Sequence, residues 1–263
     1  MRAYMANKAR ERVIENCRRI EKSYNVKILF AVESGSRAWR ISSGDSDYDV
    51  RFVFARQFQE YLKISKPADV IERNEGGIDI VGFDIYKFCG LLKASNPAAI
   101  EWLVSDIVYC GEQPKELVRF ARENFNPKAL YWHYKSMCKQ NYLKYLKGGK
   151  EVTYKKYLYA MRGLINAKLV QLDGKIPPTN FLEAMEAVKE KIPEHVYRQL
   201  QDIIKKKKSG KEKEIIKNIV RIDSYIESEL EDKRGVESAK KPQLGNKINE
   251  FILKTLGVQS SAR

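Results

Sequence analysis

The chain has 263 residues, 43% of them hydrophobic, enough for a buried core in one large or two small domains. Its 49 Lys and Arg against 34 Asp and Glu give a net charge of +15, which points to a polyanionic partner, most simply nucleic acid. No apolar run approaches the roughly 18 residues of a membrane-spanning helix, and the basic N-terminus lacks the apolar segment of a signal peptide. Cys17, Cys89, Cys110 and Cys138 form no C-x-x-C pair and stand with only two histidines. That argues against a zinc site and reads as reduced thiols in a cytoplasmic protein.

In chain order, residues 6–24 read as an amphipathic helix with Val13, Ile14, Cys17 and Ile20 on its apolar stripe. Residues 26–32 read as a buried strand, Gly35-Ser36 as a turn into a short helix, 42–47 as a second turn and 48–55 as the next strand. A short helix is expected at 58–64, and a hairpin joins 68–72 to 78–83 through the turn 74–77. Helices follow at 84–94 and 98–104, with Asn96-Pro97 opening the second, and a short strand at 107–110. From Pro114 onward strand signals vanish. Helices are expected at 115–124, 127–146, 154–172, 180–190, 194–207 and 212–231, with a mobile linker over 232–245, a last helix over 246–256 and a frayed end over 259–263. The expected fold class is α+β: a small mixed-sheet domain over 1–111, then an α-helical bundle domain over 112–263 that forms the other wall of a cleft.

The chemistry concentrates at 32–53. Asp47 and Asp49 are two apart at the head of an apolar strand, so both carboxylates point the same way. Acids that close repel unless a cation lies between them, and hard oxygens suit Mg²⁺ or Mn²⁺. Gly35 lets backbone approach a ligand closely, and the turn with Ser36 and the neighbouring Arg37 offers donors to phosphate oxygens. A lone Asp-x-Asp is more often a solvated loop and edge strand. The full pattern, strand, Gly-Ser, the ten residues from Arg37 to Ser46 and then Asp-x-Asp, is far more specific.

On Gly35-Ser36 and Asp47-Tyr48-Asp49 the chain resembles the nucleotidyltransferases of the DNA-polymerase-β superfamily. In the wording ESGSRAW and DSDYDVRF it is most similar to a bacterial, archaeal and phage branch of predicted RNA-repair nucleotidyltransferases, the RNA-ligase-associated polymerase-β-like proteins. The resemblance runs through about the first 110 residues and weakens beyond about 180. It implies metal-dependent transfer of a nucleoside monophosphate from a nucleoside triphosphate, ATP or CTP, to a hydroxyl on an RNA end, with pyrophosphate released. Asp47 and Asp49 would hold Mg²⁺ or Mn²⁺ ions, with Gly35, Ser36 and Arg37 on the triphosphate. The superfamily pattern also implies a third carboxylate on a neighbouring strand, as metal ligand or activator of the attacking hydroxyl. Asp79 is preferred; Asp84 competes, although its place before the helix 84–94 suits an N-cap.

In the helical part, Arg162 lies in an otherwise apolar helix, where a charge must be paired or face a polar site. The polymerase-β-like branch carries an Arg in a comparable helix, so Arg162 or Lys168 is a candidate for the triphosphate, with a structural carboxylate as the alternative. Lysines interleave with aromatics over 127–156. Lys135, Lys139, Lys155 and Lys156 are candidates for RNA phosphates, against the plainer reading that the tyrosines pack a bundle and the lysines cover it. Two other functions share these features: nucleotidylation of a protein or small molecule, and a non-catalytic RNA-binding module.

Overall fold

Five segments rich in Val, Ile and Phe form one mixed sheet in the computed structural model, which describes residues 2–237 and 244–258. They are β1 (Lys27–Glu33), β2 (Tyr48–Ala55), β3 (Val70–Glu75), β4 (Ile78–Asp84) and β5 (Val108–Gly111), in the order β3-β4-β2-β1-β5. β2 and β4 run parallel; the other neighbours are antiparallel. The β3–β4 hairpin turns on Gly76 and Gly77, at φ +59° and +76°, the conformation a two-residue turn needs and glycine supplies at least cost. The helices are α1 (Arg2–Tyr24), α2 (Gly35–Ala38), α3 (Ile85–Lys93), α4 (Pro97–Val104), α5 (Lys115–Asn124), α6 (Pro127–Asn141), α7 (Tyr154–Asp173), α8 (Phe181–Ala187), α9 (Glu194–Lys208), α10 (Val220–Glu231) and α11 (Leu244–Thr255). None is long and apolar enough to cross a membrane.

The chain packs as two units. The first comprises the described residues of 1–38, 47–125 and 242–263; the second, those of 39–46 and 126–241. In the first unit Val13, Cys17 and Ile20 of α1 share a buried cluster with Val50, Phe52 and Phe54 of β2 and with Ile78 and Ile80 of β4. Because side chains alternate along a strand, this leaves Asp49 and Arg51 on the other face of β2. Phe30 meets Phe88 of α3 edge-on, and Phe88 stacks near Trp102 of α4.

A domain boundary near residue 111 differs from this division. α5 stays with the sheet, and α11 packs on α3 and α5 with Ile248 and Ile252 buried. Apolar faces far apart in sequence found each other, a pairing that local periodicity does not encode.

The second unit is helical. Gly163 of α7 lies so close to α6 that a Cβ would stand 2.8 Å from the Cys138 backbone nitrogen. The helix expected over 127–146 ends in a π-helical turn, Tyr142–Leu146. The helix expected over 212–231 begins only at Val220. Residues before it pair with the start of α7 instead: Lys155 N–H donates to the Glu212 carbonyl, Ile216 N–H to the Val152 carbonyl, and Thr153 bridges Ile215. Of the expected linker over 232–245, residues 232–237 are irregular but tethered, the Arg234 carbonyl accepting from Tyr131 Oη and the Asp232 carbonyl from Lys135 Nζ. Residues 238–243 and the end expected to fray, 259–263, lie outside the described residues.

Candidate active site

Parallel pairing of β2 with β4 sets Asp49 directly beside Asp79. Neighbours in register share a face, so the two acids emerge together. Between them lies Arg51, two residues beyond Asp49. Its Nη2 is 2.8 Å from Asp79 Oδ2 and 3.6 Å from Asp49 Oδ1, and its Nη1 donates to the carbonyls of Val50 and Asp79. The guanidinium supplies the cation that two adjacent carboxylates require.

Gly35 sits at φ +56°, and a Cβ there would stand 1.9 Å from Asp49 Oδ2. Only glycine lets α2 approach that carboxylate. Ser36 is buried beside it. Arg37 stacks over the Tyr48 ring at 3.9 Å and donates from Nε to the Asp47 carbonyl at 3.1 Å. Ser34 N–H donates to the Asp49 carbonyl at 2.8 Å. These bonds tie residues 34–37 to the acid strand. Asp47 is exposed, with Oδ1 3.7 Å from where a Cβ on Gly77 would stand.

Behind the acids stands Glu33, the last residue of β1 and 1% exposed. Its Oε1 accepts from Asp49 N–H at 2.9 Å, its Oε2 from Tyr109 Oη, and its carbonyl from Ser105 Oγ at 2.9 Å. Burial holds its carboxyl above the usual carboxylate range, against the pull of the Tyr109 and Asp49 hydrogen bonds. Glu33 and Arg51 were not singled out from sequence. The signal for each was a charge inside an apolar strand, which must find a partner.

The sequence reading places Asp47, Asp49 and Asp79 together on shared ions. Among the described residues no three acidic, His or Cys side chains converge closely enough to hold a metal ion. Asp79 is paired with Arg51. Asp47 and Asp49, at the head of β2, are two hard-oxygen donors. That set fits Mg²⁺ or Mn²⁺, since Mg²⁺ commonly takes one or two carboxylates and completes its shell with water and substrate phosphates. Asp84 is not part of this group. Its side chain caps α3 by accepting from Tyr86 N–H at 2.9 Å and also accepts from Tyr61 Oη at 2.8 Å.

The remaining sequence candidates belong to the second unit. Arg162 is 3% exposed, its guanidinium 3.9 Å over the Trp39 ring. Lys168 Nζ is 2.7 Å from Glu229 Oε1, which matches the structural-carboxylate alternative. Lys135 departs from an RNA-facing role: it is buried, its ammonium donating to the Asp232 carbonyl and Tyr131 Oη beside the Tyr131 and Trp132 rings. Lys139 is exposed. Lys155 lies near the Tyr159 ring, and Lys156 donates to the Glu151 carbonyl near the Tyr145 ring. Tyr131, Tyr134, Tyr142 and Tyr157 are buried, so most of that aromatic series packs the bundle.

Comparison with known proteins places the chain among relatives. Residues 9–254 match the model of the RNA repair pathway DNA polymerase beta family. The chain is 38% identical over 256 residues to the protein YcgL of Bacillus subtilis (strain 168), covering 94% of this chain and 96% of that one. A nucleotidyltransferase-like protein of known crystal structure from Exiguobacterium sibiricum 255-15 aligns with a TM-score of 0.34 at 13% identity, over 92% of this chain and 80% of that one.

Proposed function

Since the chain belongs to the RNA repair pathway DNA polymerase beta family, we propose that it transfers a nucleoside monophosphate from a nucleoside triphosphate to a hydroxyl on an RNA end. The observation that carries this reading is the Asp49 carboxylate set between Gly35 and the Arg51–Asp79 pair. The acceptor oxygen attacks the α-phosphorus and forms the new P–O bond. The bond from that phosphorus to the bridging oxygen breaks, and pyrophosphate leaves. Asp79 accepts the hydroxyl proton, with Arg51 fixing its carboxylate. Gly35, Ser36 and Arg37 line the triphosphate. Asp47 and Asp49 hold Mg²⁺ or Mn²⁺, which when bound neutralises charge on the phosphates and on the attacking and leaving oxygens.

Arg162, its guanidinium over the Trp39 ring within the second unit, is kept as a candidate for the triphosphate. Lys168, bound to Glu229, is given a structural role. ATP or CTP is the donor. The RNA acceptor rests on the family and on the +15 charge.

The test is incubation with each of four α-labelled nucleoside triphosphates and Mg²⁺, in separate RNA, protein and no-acceptor samples. Wild type is expected to label RNA and release pyrophosphate. Asp47→Asn and Asp49→Asn are each expected to lose activity by about 1,000-fold or more with unchanged melting, the scale at which electrostatic transition-state stabilisation acts. Chelation should stop the reaction. Label that enters protein and never RNA rejects the RNA acceptor, and full activity in the Asp49→Asn protein rejects the site.

A further inference from the structure

We propose that the groove between β5 and α5 binds the backbone of a single-stranded acceptor RNA; the inference rests on the RNA-acceptor reading above and assigns that acceptor a path. The groove encloses about 630 Å³ within the first unit, lined among others by Ser105, Val108, Glu112, Lys115, Arg119 and Arg122. Lys115, Arg119 and Arg122 are exposed and form no ion pair among the described residues. Lys63 and Arg19, by contrast, are paired with Glu60 and Glu15. Here three cations without an ion pair stand together on one helix and border one groove.

Their spacing is i, i+4, i+7, which aligns them on one helix face over roughly 10 Å. That row suits two to three successive phosphates of one strand. Glu112 is the carboxylate in this lining, so the groove stays net positive. Val108 and Gly111 of the edge strand β5 border it on the other side. One helix and one strand edge make a slot for a single strand rather than a bed for a duplex.

The groove also connects to the acids. Val108 pairs with Val32, and Ser105 Oγ donates to the carbonyl of the adjoining Glu33, whose carboxylate holds the Asp49 N–H. β5 is separated from β2 by β1 alone, so the strand that borders the groove and the acid strand are two strand spacings apart, about 10 Å. A strand seated on α5 that continues across this edge runs toward the acid strand.

The test uses the full chain and a fluorescein-labelled 12-nucleotide single-stranded RNA, with anisotropy read over a range of salt concentrations. Removing three phosphate contacts from single-strand binding weakens affinity by about 100-fold at 0.1 M salt and reduces the log–log salt slope by about 2. This is the result expected of Lys115→Gln/Arg119→Gln/Arg122→Gln. Arg119→Gln alone is expected to cost about 5-fold, which keeps the test alive if the triple variant is unstable.

Lys205→Gln/Lys206→Gln/Lys208→Gln, at the exposed end of α9, removes the same net charge and is expected to change affinity by less than about threefold. Binding of a fluorescent nucleoside triphosphate with Mg²⁺ should not change in either triple variant. Equal RNA affinity in wild type and the groove variants overturns the proposal. So does equal loss in both triple variants, which would mark a net-charge effect. Loss of binding to an acidic peptide, with RNA binding intact, overturns it in favour of a peptide strand added at the β5 edge. If wild type labels no RNA while the groove variants still lose RNA binding, the acceptor reading fails and the groove stands.

Discussion

At Gly35 one hydrogen atom in place of a methyl group decides whether α2 and the acid strand can meet. Gly35→Ala is expected to fold, at a cost of about 1 kcal/mol for the left-handed backbone. The added carbon would displace the Asp49 carboxylate that lies 1.9 Å from its position. A misplacement of about an ångström costs on the order of 100-fold in rate, so kcat/KM for nucleotide transfer is expected to fall by about that factor while melting changes little. Unchanged transfer would mean that this approach has no part in the chemistry. Gly35 and Asp49 were legible in the sequence because glycine and alternate acids announce themselves by residue type. Glu33 and Arg51 were not, because their partners, Tyr109 and Asp79, lie 76 and 28 residues away.

At the scale of elements, α3 shows how a cap competes with a catalytic reading. Asp84 closes the first turn through Tyr86 N–H, and burial, opposed by the Tyr86 and Tyr61 hydrogen bonds, holds its carboxyl above the usual range. The folded chain therefore keeps this proton more tightly than the unfolded chain. Its contribution is fully present below the ordinary carboxylate value and is lost as pH rises through the raised folded value. Asp84→Asn keeps a cap oxygen and offers its amide to Tyr61 Oη, while nothing is left to titrate. Urea unfolding between pH 3 and pH 8 should show a shallower fall in stability for Asp84→Asn than for wild type. Identical profiles would remove Asp84 from that dependence. Most element types followed from periodicity and caps: β2 and α5 have their expected bounds, 48–55 and 115–124. Residues 212–219 did not become helix, because the start of α7 offered their backbone a partner that no local pattern announces.

For the whole molecule, the return of α11 to the first unit is the largest departure from a simple division into sheet and bundle. Burying Ile248 and Ile252 contributes about 1.5–3 kcal/mol each. Deleting residues 244–263 is therefore expected to lower unfolding stability by about 3–6 kcal/mol and to uncover apolar surface on α3 and α5. Urea unfolding with a hydrophobic dye measures both. An unchanged midpoint with no added dye binding would show that α11 contributes nothing to that unit.

Residue order alone was enough to indicate the glycine turn, the strand that carries Asp49, the five strands and most of the helices, since alternation, turn chemistry and capping act between residues only a few positions apart. Folding in three dimensions settled which cation each acid meets. Laying β2 parallel to β4 delivers Asp79 to Arg51 as well as to Asp49, and laying β1 beside β2 puts a buried glutamate under the Asp49 amide. Those partners are separated by tens of residues, and an electrostatic pairing depends on distance in space, which no spacing along the chain specifies.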